Sequence, residues 1–458
     1  MNIKLTAFIR YVSLSLILAS GVFAQATAPT VDIASKVDEY MTARNEVKGV
    51  GGTVLVAKDG RAIIARGYGI ADVEANALNT FDTKFRIGSI TKQFTAAATL
   101  QLVEKNRLSL SDGVCKFVTP CPDAWQPVTI HHLLAMSSGI PSFTSLPQFR
   151  ELRAKDLKPE ESVALVSSSP LKFAPGEQFE YSNTNYVLLG TIIEKVSGKS
   201  YEKFLADSIF KPLKLTNTGY DHGKERLAGS ALGYSMKDNK VVPADKASMM
   251  VPYAAGGLYS TVGDLYKWQS ALLGGRVFKK DETLDAMLKP NKGNYAYGVI
   301  VITDAKGRKR VTHGGGIEGF VTDAAFFPEE KLFIAAFINN DRGVASEVLR
   351  DLTAIYFNEP YSVPKKRTEV KVDNAILDTY VGEYKLGPNF SFKITRENEG
   401  LMLEPTGQRK TRIYAENETD FFLTIVDATV KFEKDATGKV TGFQFTQNGR
   451  TSKAERVN

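Results

Sequence analysis

Up to Phe357, strand-like sequence opens and closes the chain and helical sequence fills the middle. At the start, Thr53-Val54-Leu55-Val56-Ala57 and Ala62-Ile63-Ile64-Ala65 flank Lys58-Asp59-Gly60-Arg61. Asp-Gly between two β-rich runs predicts a hairpin. At the end, Val321 to Phe327 and Leu332 to Ile338 are β-rich and joined by Pro328-Glu329-Glu330-Lys331, and a helix is predicted from Ala345 to Phe357. Between these ends, Phe94, Ala97, Ala98, Leu102 and Val103 recur at helical spacing after Thr91. Leu133–Leu134 and Leu188 to Val196 read as further helices, the latter beginning near Tyr186. Ser200 caps another, which carries Phe204, Leu205 and Phe210 and stops at Pro212. A chain so ordered pairs its terminal strands into one antiparallel sheet around a helical insertion, an α+β fold.

Residues 359–371 read as a linker, with Pro360, Pro364 and Lys365-Lys366-Arg367. Beyond it, in 372–458, short β-rich runs are separated by turn signals such as Gly387-Pro388-Asn389 and Ala436-Thr437-Gly438. The runs are Ser391–Ile394, Leu401–Leu403, Phe421–Ile425, Val430–Phe432 and Val440–Thr446. That spacing predicts a small all-β domain, barrel or sandwich. At the other end, Lys4 and Arg10 precede an apolar run from Val12 to Ala24, which ends in Val22-Phe23-Ala24. Residues 1–24 therefore read as a secretory signal peptide cleaved near Ala24. The run is short for a membrane span, so no stable anchor is expected after cleavage. The mature protein is expected to be periplasmic or secreted.

The formal charge is +7, of which Lys4 and Arg10 supply +2, leaving +5 for the remainder. No dense Lys/Arg block is interleaved with aromatics, so nucleic-acid binding has no support. Cys115 and Cys121 flank Lys116-Phe117-Val118-Thr119-Pro120. In an oxidising compartment such a pair closes a small loop, free buried thiols being the alternative. Two cysteines, the adjacent His131-His132 and the lone His222 make no metal cluster. No metal or cofactor is expected.

Three short motifs carry the chemistry: Ser89-Ile90-Thr91-Lys92, then Tyr181-Ser182-Asn183, then His313-Gly314-Gly315. Ser89 lies where strand-like sequence gives way to a helix, at an end whose field favours negative charge. Lys92 falls one turn along the same face. A neutral amine there takes the hydroxyl proton that serine must lose to attack a carbonyl, whereas an ammonium would hold a neighbouring anion. Tyr181 and Asn183 sit in a turn before an apolar helix. Near Lys92 the phenol, ordinarily at about 10, is expected to be lowered enough to serve as a base. Asn183 both donates and accepts, which suits a substrate amide. His313 either orients Tyr181 or binds a substrate carboxylate. Gly314-Gly315-Gly316, expected just before a strand, let a substrate backbone approach, and the Gly316 and Ser89 N–H groups can form an oxyanion hole. Ser-x-x-Lys also occurs at Ser169–Lys172, Ser200–Lys203 and Ser362–Lys365, and Tyr-x-Asn at Tyr356–Asn358. Those copies lie beside Pro170, at a helix cap, in the linker and at a helix end.

Residues 33–357 resemble the serine β-lactamase/penicillin-binding-protein superfamily, in its class C-like branch with D,D-carboxypeptidases, D-aminopeptidases and esterases. The resemblance runs in family order. It rests on Phe85 to Phe94, Thr129 to Pro141, Phe173-Ala174-Pro175-Gly176-Glu177 with Tyr181-Ser182-Asn183, Pro212-Leu213 through Thr218-Gly219-Tyr220, and Ala255 to Thr261. It implies a domain over 31–358 with a β-lactamase/transpeptidase-like antiparallel sheet, flanking helices and a helical lobe. It also implies Ser89 as acylated nucleophile, Lys92 with Tyr181 as the proton-transfer system, and Asn183, His313 and Gly315 as substrate-binding. Tyr380-Val381-Gly382-Glu383-Tyr384 resembles the lipocalin-like β-barrel appended to such hydrolases. Two departures stand out. His313-Gly314-Gly315 replaces the Lys-Thr-Gly of dedicated class C β-lactamases, and Met136 stands where many relatives carry His.

The expected activity is that of an exported serine hydrolase on D-amino-acid-containing peptides, with esterase or weak β-lactamase chemistry as the alternative. The expected partner is a small peptide, ester or β-lactam. A non-turnover penicillin-binding or sensory protein is the reading of another class. Oligomeric state is left open by the sequence.

Overall fold

The computed structural model describes residues 32–457 except 49–50, 224–225, 238–239, 342–343, 425, 427 and 448–449. The signal peptide expected over 1–24 lies outside the described residues.

The hairpin forms as Gly52–Lys58 and Arg61–Tyr68. Gly52–Lys58 then pairs antiparallel with Leu332–Ile338, which joins the two ends of the α+β domain. The full six-stranded order is Ile300–Thr303, Lys309–Ile317, Phe320–Phe327, Leu332–Ile338, Gly52–Lys58, Arg61–Tyr68. Every residue of Leu332–Ile338 is buried. An antiparallel strand that is apolar at both parities must be covered on both faces. Ile334, Ala336 and Ile338 face one core with Val54 and Val56, against the helices Ile33–Lys48 and Ala345–Tyr356. Phe333, Ala335 and Phe337 face the other, beneath the helical lobe.

The helix Thr91–Glu104 runs through that lobe, and every residue from Thr91 to Leu102 is buried. Its polar side chains, Lys92, Gln93, Thr95, Thr99 and Gln101 among them, are buried with the apolar ones, so this stretch has no solvent side. Ala96, Ala97 and Ala98 let its neighbours approach, and Phe94 stacks on Trp268 at 4.4 Å between centroids. Cys115 and Cys121 form a disulfide in a loop of this lobe.

No helix or strand occupies 359–371. After it, eight strands close into a barrel, which resolves the choice between barrel and sandwich. Its strands at Gly382–Gly387, Thr411–Ala415 and Arg450–Arg456 were not among the expected runs. Tyr380, Tyr384, Phe432 and Phe443 fill the interior, with Tyr380 stacked on Phe432 at 4.0 Å. Among the described residues, no helix is long and apolar enough to cross a membrane.

Candidate active site

Ser89 is presented by a tight turn. Gly88–Ile90 is a single 3-10 turn leading directly into the Thr91–Glu104 helix. Gly88 has φ +48°, and a Cβ on it would lie 2.8 Å from the Gly316 nitrogen. Glycine is thus required both for the left-handed backbone and for the approach of the neighbouring strand. That strand is Lys309–Ile317, and the His313-Gly314-Gly315 motif lies inside it rather than before it. Gly314, Gly315 and Gly316 pair with Asp323, Thr322 and Val321. A Cβ on Gly315 would sit 2.0 Å from the Ile87 carbonyl oxygen, whereas one on Gly316 would meet nothing within 4 Å. Gly315 is therefore the position at which the strand closes on the serine turn.

Lys92 rides on the buried helix, and its side chain is wholly inside the protein. Its Nζ lies 3.0 Å from Ser89 Oγ, 2.9 Å from Asn183 Oδ1 and 2.7 Å from the Ala255 carbonyl oxygen. The last two atoms only accept. A neutral amine has two N–H groups and one lone pair. If it donates to both carbonyl oxygens, its lone pair is left for the Ser89 hydroxyl. Burial pushes Lys92 well below the ordinary lysine value, and no charged partner opposes the shift.

The Tyr181-Ser182-Asn183 segment is held from below by 136–144. The helix starts at Asn183, earlier than the expected Tyr186. The Ser182 N–H donates to the Met136 sulfur at 3.3 Å, and the Asn183 N–H donates to Ser142 Oγ at 3.1 Å. Ser138 Oγ donates to Asn185 Oδ1 at 2.8 Å, and Thr184 Oγ1 donates to the Pro141 carbonyl at 2.8 Å. The first two satisfy backbone N–H groups at the helix start, and the last two tie the helix's side chains to the 136–144 loop. Asn183 is committed on both sides, since its Nδ2 donates to Thr144 Oγ1 at 3.1 Å. Met136 has φ +55° and is fully buried, so it serves as a sulfur acceptor beneath this turn.

The Tyr181 ring lies 4.8 Å from Lys92 Nζ. The expected lowering of its pKa is reversed. Burial raises it, and a hydrogen bond with Ser89 only partly offsets the shift. The phenol therefore stays protonated. His313 is 4 % exposed. Its Nδ1 is 2.6 Å from the Gly314 carbonyl oxygen, and its Nε2 is 3.4 Å from the Tyr295 hydroxyl. Burial first, then the nearby Lys92, pushes it down to about 4. Its ring packs with Tyr181 and Tyr295 at 6.3 and 5.9 Å.

A cleft of about 210 Å3 opens over Ser89, Asn183 and Gly316. Lys92, Tyr181, His313 and Gly315 do not line it. Phe143, Phe149, Val251 and Ile317 give it apolar sides. Two lining residues, Arg153 and Glu318, carry charge and escaped the sequence reading. They pair at 3.1 Å, and Arg153 also reaches Asp245 at 2.7 Å. No motif spacing marks them; only Glu318's place just past the glycine strand hints at it. Away from the cleft, His131 Nδ1 meets the Tyr297 hydroxyl at 2.6 Å, and His132 Nδ1 accepts from the Thr129 N–H at 3.2 Å. Among the described residues, no three His, Cys, Asp or Glu side chains converge as a metal site.

Comparison with known proteins agrees with this architecture. Residues 33–356 match the family described as Beta-lactamase, and residues 366–456 match a Domain of unknown function (DUF3471). The chain is 30 % identical over 406 residues to Penicillin-binding protein 4* of Bacillus subtilis, covering 83 % of this chain and 89 % of that protein. The octameric penicillin-binding protein homologue from Pyrococcus abyssi superposes with a TM-score of 0.64 at 28 % identity, covering 92 % of this chain and 99 % of that one. A D-stereospecific amidohydrolase from Streptomyces sp. gives 0.62 at 28 % identity, covering 70 % and 98 %. The chain belongs to the Beta-lactamase family, and its barrel is appended to that family's fold.

Proposed function

We propose that the protein is an exported serine hydrolase that forms an acyl-enzyme at Ser89 on D-amino-acid-containing peptides or amides. The observation that carries this reading is the buried Lys92 amine 3.0 Å from Ser89 Oγ, with its two N–H groups matched by carbonyl acceptors.

Lys92 removes the Ser89 proton as Oγ attacks the substrate carbonyl, and becomes an ammonium. The Ser89 and Gly316 N–H groups stabilise the oxyanion. Tyr181, protonated and bonded to Ser89, gives its proton to the leaving nitrogen and recovers one from Lys92. Water then attacks the acyl carbon and gives a proton to Lys92; the carbon–Oγ bond breaks, Ser89 Oγ takes that proton back, and the acid leaves. Gly315 sets the distance between strand and turn, and His313 supports the Tyr181 ring through packing. Asn183 holds Lys92 and presents its amide edge at the cleft wall.

The likeness to a D-stereospecific amidohydrolase supports the substrate class. The cleft of about 210 Å3 falls below the ~300–1,000 Å3 of drug-sized sites, which suits a compact acyl group. Export rests on the apolar run Val12 to Ala24.

The test is mass spectrometry of the mature protein after brief exposure to a β-lactam, beside turnover of D-Ala-terminated peptides, D-amino-acid amides and p-nitrophenyl esters. An adduct on the Ser89 peptide with D-amide turnover is expected. Turnover of esters alone would make the substrate assignment wrong. Labelling with no turnover of any substrate would leave a sensor.

A further inference from the structure

We propose that the cavity between the α+β domain and one mouth of the barrel binds a single-chain amphiphile with an anionic head, a long-chain carboxylate. The cavity has a volume of about 700 Å3, within the ~300–1,000 Å3 of small-molecule sites. It shares no lining residue with the Ser89 cleft.

Its floor is the barrel mouth. Leu386, Phe390 and Phe445 are only half-buried there, beside Phe392 and Leu403. The barrel itself is filled by Tyr380, Phe432 and Phe443, so a chain lies across the mouth and does not thread it. Half-buried rings at a cavity wall gain from apolar cover.

The opposite character lines the rim. Five arginines face the cavity: Arg308, Arg310, Arg350, Arg409 and Arg450. Arg308 is neutralised by Asp304 and Glu359, each at 2.7 Å, and Arg350 by Asp351 at 2.9 Å. Arg310, Arg409 and Arg450 form no ion pair within 4 Å among the described residues, Arg310 being partly buried and the other two exposed at the rim. The Arg310 Nε is buried with no acceptor. Guanidinium N–H groups are obligate donors, and a buried one without an acceptor calls for a partner from outside the chain. Asp323 lies within electrostatic reach of Arg310 but does not line the cavity. A small inorganic anion would satisfy the rim and leave the floor wet. A neutral lipid would do the reverse. A carboxylate with an alkyl tail meets both demands.

The full chain is titrated by calorimetry with dodecanoate below its micelle concentration, beside dodecanol and acetate. Dodecanoate is expected to bind one per chain, dodecanol at least tenfold more weakly, and acetate not at all. The double variant Arg409→Glu, Arg450→Glu is expected to weaken dodecanoate at least tenfold and to leave Ser89 acylation by a β-lactam at the wild-type rate. The proposal is overturned by any of three results. Wild type does not bind dodecanoate; charge reversal leaves affinity unchanged; or prior acylation of Ser89 abolishes binding, which would put the ligand in the cleft. Binding of anionic vesicles without binding of monomeric dodecanoate would make this face a membrane-docking surface, and the proposal would fail.

Discussion

Two aromatic clusters in this molecule are built from similar side chains and differ in what they surround. In the barrel, the Tyr380 hydroxyl donates to the Glu418 carbonyl at 2.9 Å and the Tyr384 hydroxyl to the Tyr380 carbonyl at 2.7 Å. Each buried donor has a backbone acceptor, and the rings otherwise pack on Phe432 and Phe443. Beside the cleft, Tyr181, Tyr186, Tyr295 and His313 gather around a buried amine. Lys92 Nζ lies 4.8 and 5.7 Å from the Tyr181 and Tyr186 rings. The first cluster contributes packing. The second buries a basic group, which costs stability and lowers its proton affinity, as the proposed role of proton acceptor requires.

That contrast breaks down if function and stability do not separate. Ser89→Ala is expected to lower turnover by on the order of 10^4–10^6 with an unchanged melting temperature. Phe432→Ala is expected to cost about 3–5 kcal/mol in unfolding free energy while folded molecules keep their specific activity. Parallel denaturation and active-site titration read both. If the barrel variant loses activity per folded molecule, the two regions are not independent.

Lys92→Met sharpens the comparison further. Loss of the base is expected to slow acylation by about 10^2–10^4. Stability is expected to stay within about 2 kcal/mol of wild type, because relief of a desolvated amine offsets the loss of the donor to Asn183 Oδ1 and the Ala255 carbonyl. A large drop in melting temperature would instead assign Lys92 a structural role.

The glycine strand offers a smaller, paired contrast. Gly315→Ala drives a methyl against the Ile87 carbonyl, so a loss of about 1–3 kcal/mol is expected, together with slower acylation at Ser89. Gly316→Ala points into open space and is expected to leave stability within about 0.5 kcal/mol of wild type. Equal effects from both would remove the steric account of the motif. Tyr380→Phe in the barrel is expected to cost about 0.5–1.5 kcal/mol for one hydrogen bond and nothing in rate.

The sequence displayed the sheet's ends well. Leu332–Ile338 is an unbroken apolar run, and Asp59-Gly60 fixes the hairpin of Gly52–Lys58 with Arg61–Tyr68, so both are visible without tertiary information. The glycine motif was set outside its strand because three glycines count against β structure. Tertiary pairing with 320–327 overrides that local preference. The strand Arg450–Arg456 was missed for a related reason. Its sequence is polar and mostly exposed, and Ala454 alone is buried. Ser89, Lys92, Tyr181 and Asn183 were legible as a set, but the direction of the Tyr181 shift was not. Spacing reveals that Lys92 is near; it does not reveal that burial outweighs it. Arg153 and Glu318 meet only through the fold, so no local pattern announces them.

The central claim is that Lys92 is a neutral base at rest. The most direct measurement is the NMR titration of the lysine side chains, with the Lys92 signal assigned by its loss in Lys92→Met. Because the folded-state pKa is depressed, the amine is expected to be uncharged from well below the ordinary lysine value of about 10.4 upward. Acylation should rise with pH through that same midpoint and level off above it. A Lys92 midpoint at or above the ordinary value, with acylation already maximal below it, would contradict the account.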